Sequence, residues 1–110
     1  MADDPVEVDV QELNRMISER EVLVIDVRET HEYEEEHIPG TLLLPLSFLE
    51  ADLLPIITEK KIVMACRTGQ RSAAAAKQLM NEGFLNVLNL RGGVEAWAEA
   101  GLELEGAKFE

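Results

Sequence analysis

The heptapeptide Cys66-Arg67-Thr68-Gly69-Gln70-Arg71-Ser72 puts the chain's one cysteine at the head of a short polar loop, with two arginines, a glycine and two hydroxyls behind it. A thiol reacts as its thiolate, and backbone N–H groups at a helix N-terminus and nearby guanidinium groups lower its pKa. Both aids are present in this segment. Strand, polar loop and helix in succession form a concave nest of backbone N–H groups able to cradle an anion. Cys66 is therefore the candidate nucleophile, and Arg67, Thr68, Gly69, Gln70, Arg71 and Ser72 are the candidate anion-binding residues. Gly69 serves the tight turn, Ser72 is expected to cap the following helix with its hydroxyl aimed back at the loop, and arginine suits multi-oxygen anions. Isolated free cysteines are more often buried and inert. The loop context argues for the reactive reading.

The flanking segments supply the scaffold. Asp9-Val10-Gln11-Glu12 reads as a capping box, and Val10, Leu13, Met16 and Ile17 form an apolar helical stripe after it. Val22-Leu23-Val24-Ile25 is a continuous apolar run, as in a parallel strand covered on both faces, ending at Asp26-Val27-Arg28. Thr30 is expected to cap a short acidic helix running through Glu36, and His37-Ile38-Pro39-Gly40 turns the chain into a short strand over 41–44. Ser47 to Glu50 reads as a second capping box, opening a helix that stops before Pro55. Lys61 to Ala65 is the central strand, Ser72, Ala76, Leu79 and Met80 share a helical face, and Gly83 stands ready as a C-terminal cap. Val87 to Leu90 returns as a strand, and Arg91-Gly92-Gly93 leads into a last helix from Val94 to about Ala100, anchored by Val94 and Trp97. Strands alternating with helices predict an α/β sandwich whose ligands collect at the carboxyl ends of the strands. Asp26, Cys66 and Arg91 stand at three such ends, so they are expected to meet in one pocket.

One domain of about residues 5–105 accounts for the 110-residue chain, with loose ends at 1–4 and 106–110. A lone cysteine excludes an intramolecular disulfide framework. The start Met1-Ala2-Asp3-Asp4-Pro5 lacks the basic and apolar regions of a signal peptide, and no apolar run is long enough to span a bilayer, so a cytoplasmic monomer is the expectation. The net charge of −12 argues against nucleic acid and anionic membrane as partners. Residues 60–91 nevertheless carry a net +5, leaving −17 elsewhere. A local basic field at Cys66 is expected, because charges beyond a Debye length of about 8 Å are largely screened.

Four motifs in order resemble the rhodanese family of sulfurtransferases, over about Val8 to Leu104. They are Asp26-Val27-Arg28 with its acidic helix, His37-Ile38-Pro39-Gly40 followed by Leu44-Pro45, the loop Cys66 to Ser72, and Arg91-Gly92-Gly93 with Trp97. The resemblance implies a three-layer sandwich with a mostly parallel central sheet flanked by helices. It also implies ping-pong transfer of a sulfane sulfur, from a small anionic donor such as thiosulfate or a persulfide, through a Cys66 persulfide, to cyanide or a thiol. No cofactor is implied. An alternative is a rhodanese-like relay module serving a dedicated sulfur-relay protein. Cysteine phosphatases and arsenate reductases use a C-x5-R loop, whereas here Arg71 makes the spacing C-x4-R, Ser72 takes the phosphatase arginine's place, and Ala65 precedes the cysteine where phosphatases usually carry histidine. Thiosulfate-using members often have a basic residue in the helix after the Asp-x-Arg motif; Glu32 stands there, and unless that helix tilts away it disfavours thiosulfate.

Other residues have plainer readings. Asp26 and Arg28 are expected to pair and support the pocket, as does Arg91. His31 lies in a solvated acidic stretch and His37 stabilises its turn; neither has a second ligand at metal-binding spacing. Gly92-Gly93 reads as a tight turn because G-x-G-x-x-G is absent. Trp97, Phe48 and Phe84 are expected in the core.

Overall fold

The computed structural model of the chain describes residues 4–49 and 60–110. Strand β1 (Val6–Val8) leads into helix α1 (Val10–Ser18), β2 (Val22–Asp26), α2 (Thr30–Glu35) and β3 (Leu42–Leu43). A 3-10 turn over Leu46–Phe48 follows, then β4 (Lys61–Ala65), α3 (Gln70–Asn81), β5 (Val87–Leu90), α4 (Gly93–Glu99) and a 3-10 turn at Ala107–Phe109. Among the described residues these five strands pair in parallel, in the order β1-β5-β4-β2-β3.

The apolar runs of β2, β4 and β5 fill the middle of the sheet because both faces are covered, a setting that favours β-branched side chains. Side chains alternate across β4, so Ile62, Met64 and Cys66 pack in the layer of Ala75, Ala76 and Leu79 from α3. Val63 and Ala65 meet Leu13 and Met16 of α1 and Val94 and Trp97 of α4 on the opposite face. This is the expected three-layer sandwich, and the alternation assigns Cys66 to the α3 side. The alanines of α3 let the helix backbone approach the strand that leads to Cys66. At its far end, Gly83 N–H bonds Met80 O and Phe84 N–H bonds Leu79 O, which closes the helix in a Schellman motif around Gly83.

Several local expectations differ from the structure. At α1 the Asp9 carboxylate accepts the Glu12 N–H at 2.8 Å, but Glu12 pairs with Arg15, so half of the capping box is used. Glu29, not Thr30, caps α2, because Glu32 reaches back to the Glu29 N–H at 3.0 Å. Phe48 is exposed while Leu49 is buried, since the 3-10 turn rotates Phe48 outward. The remainder of the predicted helix toward Pro55 lies outside the described residues. Strand β1 was not anticipated: three residues with two exposed carry little pattern, and pairing with β5 is what makes them a strand. Residues 107–109, expected as part of a loose tail, form a turn beside α2, where Lys108 Nζ lies 3.4 Å from Glu36.

Candidate active site

Strand β4 delivers Cys66 at its carboxyl end, and Gly69 reverses the chain into α3. Gly69 has φ +103° and a Cβ there would sit 3.2 Å from Leu90 O, so glycine meets both the conformation and the close approach. The turn brings Gly69 N–H to 3.1 Å and the Ser72 hydroxyl to 3.3 Å from Cys66 Sγ. Gly69 is the N-cap of α3 and Ser72 lies within its first turn. The expectation that Ser72 caps the helix is therefore corrected, while its hydroxyl does face the loop.

The first turn of α4 fixes the other side of the loop. Val94 N–H donates to Cys66 O at 2.9 Å and Glu95 N–H to Arg67 O at 3.0 Å. Since C=O and N–H of a trans peptide point opposite ways, this docking turns the N–H groups of Arg67 and Thr68 away from α4. It requires Gly93, where a Cβ would meet Cys66 O at 2.3 Å with φ at +63°. The Gly92-Gly93 pair is the expected tight turn, and it also lets α4 brace the loop.

Burial pushes the Cys66 thiol up, and the Ser72 hydroxyl with the N–H groups of Ser72, Gly69 and Thr68 outweighs it, leaving the thiol more acidic than usual. Cys66 is only 1% exposed, because its side chain points into the α3 layer, so the sulfur sits at the floor of the loop. Thr68, Gln70 and Arg67 form the exposed rim, with Arg71 half-buried beside them.

Asp26 and Arg28 form the predicted pair. The Asp26 carboxylate accepts Arg28 N–H and Nε–H at 3.0 Å and Nη2–H at 2.9 Å, and Arg28 Nη2 also donates to Glu36 O at 2.8 Å. Both side chains are buried. Arg91 does not join them: 64% exposed, it reaches Glu7 of β1 at 3.3 Å. The expected local basic field is also corrected. Arg71 forms two parallel bonds to Glu32, at 2.8 and 3.0 Å, and Arg67 lies 3.7 Å from Glu95, so acids distant in sequence neutralise the loop's cations. Helix α2 does not tilt away. Glu32 is lowered to about 2, first by its bond from Arg71.

Residues 9–100 match the sequence pattern of the rhodanese-like domain family. This chain belongs to that family. It is 37% identical over 99 residues to a sulfurtransferase of Allochromatium vinosum, covering 89% of this chain and 92% of that one. It is 34% identical over 82 residues to the thiosulfate sulfurtransferase GlpE of Coxiella burnetii, covering 74% and 77% of the two chains. The crystal structure of a rhodanese-related protein from Thermoplasma volcanium superposes with a TM-score of 0.81 at 30% identity, covering 91% and 97%. Sulfur transfer is the chemistry named for the Allochromatium and Coxiella relatives.

The rhodanese-like domain holds one site residue that sequence reasoning passed over. Asn89 on β5 is fully buried, accepts the Ser72 hydroxyl at 2.6 Å and donates to Gly69 O at 3.0 Å and to Glu7 at 3.2 Å. Its only signal was a polar residue inside an apolar strand. A hydroxyl has one proton, so Ser72 serves Asn89 or the Cys66 sulfur at a given moment; a thiol can donate to Ser72 Oγ, while a thiolate draws the proton to itself. His37 holds its turn as expected, with Nδ1 2.6 Å from Tyr33 O and its ring stacked on Tyr33 at 3.8 Å. A cleft of about 370 Å³ opens beside the loop, lined by Arg28, Glu32, Arg67, Glu95 and Lys108 among others but not by Cys66. Among the described residues no cluster is suited to a metal ion, and no helix is long and apolar enough to cross a membrane.

Proposed function

We propose that this rhodanese-like domain is an enzyme transferring sulfane sulfur from thiosulfate or another persulfide donor to a thiol or cyanide, by a ping-pong route through a Cys66 persulfide. The observation that carries the reading is the loop geometry: Cys66 Sγ receives the Gly69 N–H at 3.1 Å and faces the Ser72 hydroxyl at 3.3 Å, at the start of α3. The thiolate attacks the outer sulfur of the donor, the donor's S–S bond breaks, and its electron pair leaves on sulfite or a thiolate. Cys66 then carries the sulfur as a persulfide anion held by the same N–H groups, until the acceptor attacks that outer sulfur and returns the pair to Cys66. Thr68, Gly69, Gln70 and Ser72 cradle the anion, Arg67 and Arg71 orient the reactants, and Asp26 and Arg28 hold the pocket wall.

Initial rates with donor and acceptor varied together test this. Parallel double-reciprocal lines are expected; intersecting lines contradict the ping-pong route. Slow turnover with small acceptors alongside fast exchange with a persulfide-bearing protein assigns the domain to a relay. Hydrolysis of an aryl phosphate with no sulfur transfer overturns both in favour of a phosphatase.

A further inference from the structure

We propose that Glu32 is a specificity-determining residue, which by clamping Arg71 selects a persulfide that reacts as its uncharged R–S–SH end over a dianionic donor such as thiosulfate. The inference rests on the functional reading above and deepens it by naming the donor class. Its foundation is charge pairing at the mouth of the site. Arg28, Arg67 and Arg71 stand against Asp26, Glu95 and Glu32, so with the Cys66 thiolate the cluster is one charge negative. Arg28 and Arg71 are held in hydrogen bonds by Asp26 and Glu32, whereas Arg67 is largely exposed and lies 3.7 Å from Glu95, so Arg71 is the loop guanidinium whose binding edge is already taken.

The Arg71 clamp is the decisive pair, because Arg71 interacts electrostatically with Cys66 and Asp26. Both oxygens of Glu32 are engaged, Oε1 with Arg71 Nη1 and Oε2 with Nη2, and Oε1 also receives the Glu29 N–H. A bidentate carboxylate fixed by its own helix cap is a substrate mimic built into the protein: it occupies the guanidinium edge that a sulfonate would use. With Glu32 lowered to about 2, the clamp stays charged throughout the working range.

The two loading reactions differ in what they ask of this cluster. From thiosulfate, the thiolate and a dianion meet, the bond between the sulfane and sulfonate sulfurs breaks, and sulfite leaves as a dianion with the electron pair. From a persulfide R–S–SH, the thiolate bonds the outer sulfur, the S–S bond breaks, R–S⁻ leaves with the pair, and the proton stays on the transferred sulfur. The first gathers three negative charges where Arg71 is already neutralised; the second gathers one. Repulsion between close charges in a partly buried site is not screened as it is in bulk water.

The test measures single-turnover loading of Cys66 with thiosulfate and with cysteine persulfide, by intact mass, for the native protein, Glu32→Gln and Glu32→Asp. The glutamine variant keeps an oxygen acceptor for the Glu29 N–H, and the shorter aspartate variant keeps the charge while losing the bidentate reach. Glu32→Gln is expected to raise thiosulfate loading on the order of tenfold, with persulfide loading nearly unchanged, and Glu32→Asp to give a smaller gain. An unchanged ratio of the two rates in folded Glu32→Gln overturns the role of Glu32 while leaving sulfur transfer intact. Faster loading of the native protein from thiosulfate than from the persulfide also overturns it. Absence of any Cys66 adduct from either donor overturns the functional reading itself.

Discussion

The acidity of the Cys66 thiol is set by a contest between burial and hydrogen bonding, in which Ser72 is the largest contributor on the hydrogen-bonding side. Burial alone would raise the thiol, and the hydroxyl is the largest opposing contribution. Ser72→Ala is therefore expected to move the midpoint of iodoacetamide alkylation of Cys66 to higher pH, and to lower the thermal midpoint because buried Asn89 loses its donor; an unmoved alkylation profile contradicts the role of the hydroxyl. Asn89→Asp should act in the same direction, because a carboxylate competes harder for the Ser72 proton. A second residue-scale prediction concerns the buried Asp26–Arg28 pair. Removing one member leaves a charge in a site with little water, which costs about 3–5 kcal/mol. Asp26→Ala should lower the urea midpoint accordingly, and a loss below about 1 kcal/mol would mean that the pair behaves as a surface contact. The Cys66 loop was legible because its neighbours announce a strand, a turn and a helix within a few residues. Asn89 was not, since its partners Ser72, Gly69 and Glu7 come together only once β5 lies between β1 and β4.

Helix α4 braces the loop through two backbone hydrogen bonds and α2 is tied to α3 through Glu32 and Arg71, and the two sets of contacts can be cut separately. Gly93→Ala inserts a Cβ at 2.3 Å from Cys66 O at a positive φ, so the loop and α4 must part. The strained backbone alone costs about 1–3 kcal/mol; a folded variant with native alkylation kinetics would show that α4 does not brace the loop. The Glu32–Arg71 tie joins α2 to α3. The Glu32 carboxyl is lowered from 4.5 to about 2, so its contribution to stability is present above about pH 4.5 and is lost as the pH falls toward 2. Glu32→Gln should flatten the thermal midpoint across that window, and parallel native and variant curves contradict the tie. The interiors of elements were readable at this scale, since β4 and β5 follow their apolar runs to the residue. Ends were not: caps at Glu29 and Gly69 depend on which acceptor a backbone N–H meets, and neither Thr30 nor Ser72 is placed to supply it.

At the scale of the whole molecule, the chain carries −12, and the cations near Cys66 are matched one to one by carboxylates. The linear segment 60–91 looked basic only because sequence proximity was read as spatial proximity. Lys60 and Lys61 stand at the opposite end of β4 from Cys66, while Glu32 and Glu95 are brought to the loop. A dianionic donor is therefore repelled on approach, and added neutral salt should speed thiosulfate loading as the Debye length falls from about 8 Å toward 3 Å. A rate that falls with salt would restore the local basic field. The central claim is that Cys66 carries the transferred sulfur. Intact-mass measurement after incubation with a sulfane donor tests it most directly: a one-sulfur adduct is predicted on the native chain, removable by cyanide and absent from Cys66→Ser, whereas an adduct that survives Cys66→Ser, or none with any donor, would contradict it.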